Sequence, residues 1–165
     1  MKRWLASLVL VLLVALDQIT KFWAKAYLEG KDALVIIKNI LEFRYLEGGN
    51  TGAAFGILQG NTFFLGMVSL IVFLVLLVLL YKMAANPRHK FLCWCLVFMA
   101  AGAVGNCIDR LVNGYVVDFI YFKAIDFPIF NVADIYVTLS ALVLLLLVAF
   151  SKEENEEKQE VQENE

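Results

Sequence analysis

The chain is poor in the residues on which most soluble catalytic domains rely. It has one histidine, His89, two prolines, Pro87 and Pro128, and only 18% charged residues over 165 positions. No Gly-Lys motif of the phosphate-cradling kind is present, which removes P-loop chemistry. The three cysteines, Cys93, Cys95 and Cys107, share one apolar stretch. A C-x-C spacing is neither a metal nor a redox signature, so they read as buried free thiols and leave the redox compartment open. There is no internal repeat, and no nucleic-acid partner is expected. What the chain has in excess is apolar surface: 61% of its residues are hydrophobic, and mean hydropathy is +0.74. A soluble domain of this length runs nearer half apolar, so the composition is that of a one-domain membrane protein.

Four runs reach the roughly 20 apolar residues that cross about 30 Å of hydrocarbon: 4–27, 62–81, 91–108 and 132–150. The expected fold class is an all-α polytopic membrane protein with four transmembrane helices. The first run, behind Lys2 and Arg3, looks like a secretory signal. No small-x-small cleavage site follows it, and apolar character resumes past Asp17 with Ile19, Phe22 and Trp23. It is therefore read as a retained helix. Residues 1–151 form the membrane domain in this reading. Residues 152–165, KEENEEKQEVQENE, carry seven Glu and two Lys, a net of −5 that leaves the rest of the chain at +3 against −2 overall. With no aromatic residue and one Val, they are expected to be a disordered, solvated tail.

Basic residues set the orientation. Lys2 and Arg3 precede the first run, Lys82, Arg88 and Lys90 lie between the second and third, and Lys152 follows the fourth. With four spans these fall on one side, which the positive-inside rule makes cytoplasmic. Loop 28–61 also holds Lys31, Lys38 and Arg44, but four acids accompany them. Both termini are thus expected inside, and loops 28–61 and 109–131 outside. Within those loops, ALVIIKNILEFRYLE and GYVVDFIYF have the Val, Ile, Phe and Tyr content of strands, predicting small β-rich extracytoplasmic segments.

The few polar residues of the apolar body gather in one layer. Asp17 lies thirteen residues past Trp4, roughly 20 Å at about 1.5 Å per residue. Lys21 is one turn further. Asn106, Asp109 and Arg110 close the third run, Asn131 and Asp134 open the fourth, and Asn50 and Asp118 belong to the outer loops. Charges at membrane depth are costly and mark function. Plainer readings stand beside each. Asp17 and Lys21 have the favourable i,i+4 order and could neutralise each other. Asp109 could offset Arg110. Asn131 could cap the fourth helix, with Asp134 three residues on in a capping-box position.

Asp118, Asp126 and Asp134 have neither an adjacent nor an i±4 cation. Two such carboxylates held close in a low dielectric cannot both ionise easily. One keeps its proton and the other becomes a base. That arrangement hydrolyses a peptide bond with water. Residue chemistry alone does not select the pair among the three. His89 lies across the membrane from this layer and reads as an exposed loop residue, so a Ser-His or Cys-His nucleophile has no base there. A zinc site lacks His and Cys ligands on that side. Two other functions compete: a proton- or ion-coupled transporter, whose acids would spread through the bilayer depth, and a scaffold whose polar residues only join helices.

Five segments narrow the choice: DQITK (17–21), NTGAAFG (50–56), GAVGNCIDR (102–110), GYVVDF (114–119) and FNVAD (130–134). In this order they closely resemble the motifs of the lipoprotein signal peptidase (signal peptidase II) family, from the first span to the fourth. The acidic tail lies outside the resemblance. The resemblance implies an intramembrane aspartic endopeptidase of the bacterial cytoplasmic membrane. Such an enzyme cuts the signal peptide from prolipoproteins before the diacylglyceryl-modified cysteine, at the outer face. It implies Asp118 and Asp134 as the catalytic carboxylates, with Asp126 in a variable stretch. It implies Asp17, Lys21, Asn50, Gly52, Asn106, Asp109, Arg110 and Asn131 as supporting or substrate-binding residues. It further implies no metal or cofactor, contact with membrane lipid, a monomer, and inhibition by the cyclic peptide globomycin. The small residues Gly52, Ala53 and Ala54 would either let the substrate chain approach or form a turn and a tight helix contact.

Overall fold

The computed structural model describes residues 2–52 and 58–163, without the side chains of Arg88 and 151–163. Four helices carry the chain: α1, Arg3–Leu28; α2, Thr62–Met83; α3, Lys90–Val112; and α4, Val132–Glu163. Each is long and apolar enough to cross a membrane, α4 over Val132–Phe150. Hydrocarbon offers the backbone no partners, so an apolar run must satisfy its own N–H and C=O groups as a helix. Beyond the ends of α1 and α3 stand Gly30 at φ +68° and Gly114 at φ +77°, left-handed positions that glycine takes without steric cost.

α3 is the central helix. Half of its apolar window (50%) is buried, against 17%, 22% and 17% for α1, α2 and α4. Its glycines allow the close approach. A Cβ at Gly102 would lie 2.5 Å from the Ala133 carbonyl oxygen and 2.6 Å from Val137 Cγ2, so α4 rests directly on α3 there. Small residues at such contacts let helix backbones meet where no hydrophobic force between helices helps them. One apolar cluster, including Ala6, Leu76, Leu80, Cys93, Val97 and Ala100, joins α1, α2 and α3. A second, including Ala24, Leu28, Tyr45, Val117, Phe119 and Ile120, ties the far end of α1 to the loops. Along α1, Asp17 and Lys21 fall between the two.

The loops supply a three-stranded antiparallel sheet in the order β1 (Leu34–Ile37), β2 (Leu41–Phe43), β3 (Ile120–Phe122). β2 pairs with β3 as Leu41↔Phe122, Glu42↔Tyr121 and Phe43↔Ile120. The strand character expected in loops 28–61 and 109–131 is therefore present, and the two loops pair with each other. Trp23 of α1 meets Phe43 and Phe119 edge to face, with ring centroids 5.8 and 6.2 Å apart.

Three expectations change. The third span runs to Val112, not 108, because Asp109 and Arg110 find partners inside the fold and do not end the helix. α4 continues as helix through the acidic residues to Glu163, where a disordered tail was expected. Glu, Gln and Lys are good helix formers, and no Pro or Gly interrupts the run. His89 is half-buried at the end of a short turn, Pro87–His89, leading into α3, because the connection is too short to hold it clear of the helix. The three cysteines are free and buried, as read from their setting.

Candidate active site

Two pieces of backbone pairing create the site. Asn50 and Val116 exchange both hydrogen bonds, each 2.9 Å, which sets Asn50 beside Asp118 two residues further on. The Phe130 carbonyl accepts from the N–H groups of Phe119 and Ile120 at 3.0 and 2.8 Å, and Phe130 N–H donates to the Ile120 carbonyl at 3.0 Å. Asn131 and the start of α4 are thereby held against the same segment. Residues far apart in sequence meet because two short antiparallel contacts clamp 116–120 between loop 28–61 and the entry to α4.

Asp118 is 1% exposed. Its Oδ2 accepts from Asn50 Nδ2 at 2.8 Å and its Oδ1 from Asn131 Nδ2 at 2.7 Å. Asp134 Oδ1 accepts from Asn106 Nδ2 at 2.8 Å. Asn131 and Asp134 form the reciprocal cap expected at the start of α4. Asp134 N–H donates to Asn131 Oδ1 at 3.0 Å, and Asn131 N–H donates to Asp134 Oδ2 at 3.2 Å. The cap and the site are therefore the same residues. Asn131 touches both carboxylates, its side chain serving Asp118 and its backbone serving Asp134. Burial pushes the Asp118 carboxyl up to about 7, and the charge of Asp134 adds to the rise. The amide donors Asn50 and Asn131, and then the Lys21 charge, oppose it.

Beside this pair lies a second group of carboxylates with different partners. Lys21 Nζ bonds Asp17 Oδ2 at 3.0 Å, Asp109 Oδ2 at 3.1 Å and Asn106 Oδ1 at 2.9 Å. All three charged residues are at most 2% exposed. The i,i+4 pairing of Asp17 with Lys21 is present. The local pairing of Asp109 with Arg110 is not. Neighbouring helix positions point about 100° apart, so Asp109 turns to Lys21, while an Arg110 Nη donates to the Gly52 carbonyl at 2.9 Å. Among the described residues, Arg110 Nε is buried without a hydrogen-bond partner. Gly52 N–H donates to Asn50 Oδ1 at 2.9 Å, so Gly52 turns the chain at the site edge. Ala53 and Ala54 lie outside the described residues.

The three aspartates without a local cation are placed differently. Asp126 is exposed beyond β3, with its carboxylate accepting from the Tyr121 hydroxyl. It takes no part in the buried layer. One residue was missed by sequence reasoning: Gln18, whose Nε2 donates to Asp17 Oδ2 at 3.1 Å, the Gly105 carbonyl at 3.2 Å and Asp109 Oδ1 at 3.3 Å. Its place inside DQITK, an amide between two charges on an apolar helix, was the available signal. Among the described residues, no group of three His, Cys, Asp or Glu is arranged to hold a metal ion.

Comparisons with known proteins show the family. The family model described as Signal peptidase (SPase) II matches residues 9–150. The chain belongs to the signal peptidase II family. It is 40% identical over 144 residues to a lipoprotein signal peptidase of Clostridium tetani (strain Massachusetts / E88), covering 86% of this chain and 90% of that protein. It is 40% identical over 158 residues to one of Streptococcus pyogenes serotype M1, covering 94% and 98%. A bacterial membrane enzyme solved at 2.3 Å by the in meso method superposes with a TM-score of 0.77 at 34% identity, covering 90% of this chain and 88% of that one. Membership makes the chain a peptidase, and with four apolar helices it is a multi-pass membrane protein. The transporter reading has no support.

Proposed function

We propose that Asp118 and Asp134 are the catalytic pair of this peptidase. The observation that carries the proposal is the sharing of Asn131 by two carboxylates that have, among the described residues, only neutral amides as direct side-chain and backbone donors. The reaction is removal of the signal peptide from prolipoproteins. Near neutral pH the pair holds one proton, which burial and like charge favour on Asp118. The deprotonated member takes a proton from water. The protonated member donates to the scissile carbonyl as water attacks, and the leaving amine departs with a proton. Asn50, Asn106 and Asn131 fix both carboxylates throughout. Arg110 and the Gly52 turn line the approach of the substrate backbone.

The cut falls before a diacylglyceryl-modified cysteine. The substrate is a membrane helix ending in a lipid-anchored residue, so its scissile bond belongs at the boundary of the bilayer, where the polar layer of this chain lies. The basic residues favour a cytoplasmic inner side carrying both termini and 152–165, with the site at the outer face of the bacterial cytoplasmic membrane. The unit 1–151 works as a monomer in contact with lipid, needs no metal, and is inhibited by globomycin. The test is cleavage of a lipidated prolipoprotein by the purified protein in detergent, with and without chelator. Cleavage indifferent to chelator and lost in Asp118→Asn and in Asp134→Asn is expected. Full activity in either variant removes the assignment.

A further inference from the structure

The buried ion cluster does something more specific than neutralise itself. The Asp17 carboxylate has a second oxygen, Oδ1, and it accepts the backbone N–H of Ala133 at 2.9 Å. Ala133 immediately precedes Asp134. The Asp109 carboxylate that binds Lys21 also accepts the backbone N–H of Val117 at 3.0 Å. Val117 immediately precedes Asp118. Each member of the proposed catalytic pair is thus preceded by a residue whose amide is held by one arm of the same cluster. Both arms end on one ammonium, Lys21 Nζ.

The third hydrogen of that ammonium is used in the same way. Lys21 donates to Asn106 Oδ1 at 2.9 Å, and so does Asn131 Nδ2 at 3.1 Å. With its oxygen committed to two donors, the Asn106 amide must turn its NH2 toward Asp134 Oδ1. An ammonium has three donors and no acceptor. Here one donor reaches Asp134 through Asn106, and the other two lead through Asp109 and Val117 to Asp118 and through Asp17 and Ala133 to Asp134. Gln18 joins the two carboxylate arms a second time. Gly105 makes the room, since a Cβ there would lie 2.5 Å from Asp17 Oδ2.

We infer that Lys21 is a positioning residue for peptide-bond cleavage, the common pivot that sets Asp118 and Asp134 relative to one another through Asp109–Val117, Asp17–Ala133 and Asn106. The inference rests on the Asp118–Asp134 reading. It explains why a lysine and two aspartates are held together at membrane depth, when replacing a buried ion group by apolar side chains often leaves a fold as stable or more so. Charge-assisted bonds are short and directional, which suits a part that must hold a geometry.

Three variants test it: Lys21→Met, Lys21→Met with Asp17→Asn, and Lys21→Arg. The double variant keeps the cluster's net charge and an oxygen for the Ala133 amide but removes the pivot. Thermal unfolding and size exclusion in detergent report folding, and kcat and KM are measured on folded protein with a lipidated prolipoprotein. The double variant should fold, keep KM within about twofold, and lose about 100-fold in kcat, as a small misplacement of reacting groups does. Lys21→Arg, which still bridges two carboxylates, should recover part of that loss. Wild-type kcat in a folded double variant overturns the inference. So does failure of all three variants to fold, which would make Lys21 an anchor of the fold alone. If Asp118→Asn or Asp134→Asn retains activity, the pair itself is wrong, a result distinct from either.

Discussion

Two groups of carboxylates lie side by side in this molecule and are treated in opposite ways. Asp17 and Asp109 are bound by a lysine ammonium, a glutamine amide and backbone N–H groups. Asp118 and Asp134 receive asparagine amides and a single backbone N–H. A cation beside a carboxylate favours its charged form. Neutral donors fix its position and leave its proton free to move. On the proposed reading, the difference separates carboxylates that hold a structure from carboxylates placed to react, although all four are aspartates within one cluster.

The sharpest way to break this comparison is to neutralise one member of each group. Asp118→Asn and Asp134→Asn should lower kcat by about 10²–10⁴-fold, the range for a lost general acid or base, while the protein still folds by thermal shift. Asp109→Ala should do the reverse in emphasis. It takes one of two carboxylates from Lys21 and strands the Val117 amide, and unfolding should become easier by about 1–3 kcal/mol, the cost of a buried donor left without its acceptor. If Asp118→Asn destabilises as much as Asp109→Ala, the distinction between the groups fails.

Stability against pH sharpens it further. Folding raises the Asp118 carboxyl from 3.8 to about 7, so the folded state holds its proton more tightly than the unfolded one. The stabilisation is complete below about 4, declines as pH rises, and is gone above about 7. Asp118→Asn should flatten that decline in a pH series of thermal midpoints. Smaller still is the packing effect. Gly102→Ala forces a methyl against the Ala133 carbonyl and should cost about 1–3 kcal/mol of stability, the usual cost of overpacking. Asp126→Asn, on an exposed carboxylate outside both groups, should leave kcat and KM unchanged in the cleavage assay.

Much of this arrangement was legible in the sequence. Four apolar runs gave four helices, since length and composition nearly determine what lipid permits. FNVAD read correctly as a cap because capping geometry is local. The limits were just as physical. Asp109 lies next to Arg110 in sequence, but adjacent helical side chains diverge, and its true partner is on α1. Residue chemistry left Asp118 and Asp126 equivalent and the motif resemblance named Asp118; that one is buried and the other exposed depends on the Asn50–Val116 and Ile120–Phe130 backbone contacts, which no local pattern encodes. Gln18 looked like an ordinary polar residue because its three acceptors come from two helices. The end of the apolar run at Phe150 marked where lipid would stop, and was mistaken for where the helix stops.

The central claim is that Asp118 and Asp134 work as a pair sharing one proton. It is tested most directly by kcat/KM against pH, using a lipidated prolipoprotein with no titrating side chain near the cut. The profile reports the essential acid and base of the free enzyme. With Asp118 raised to about 7, kcat/KM should fall about tenfold per pH unit above that point as the acid loses its proton. A profile that stays level or climbs from about pH 6 to 9 would contradict the pair, because no proton shared between these two carboxylates could then be taking part.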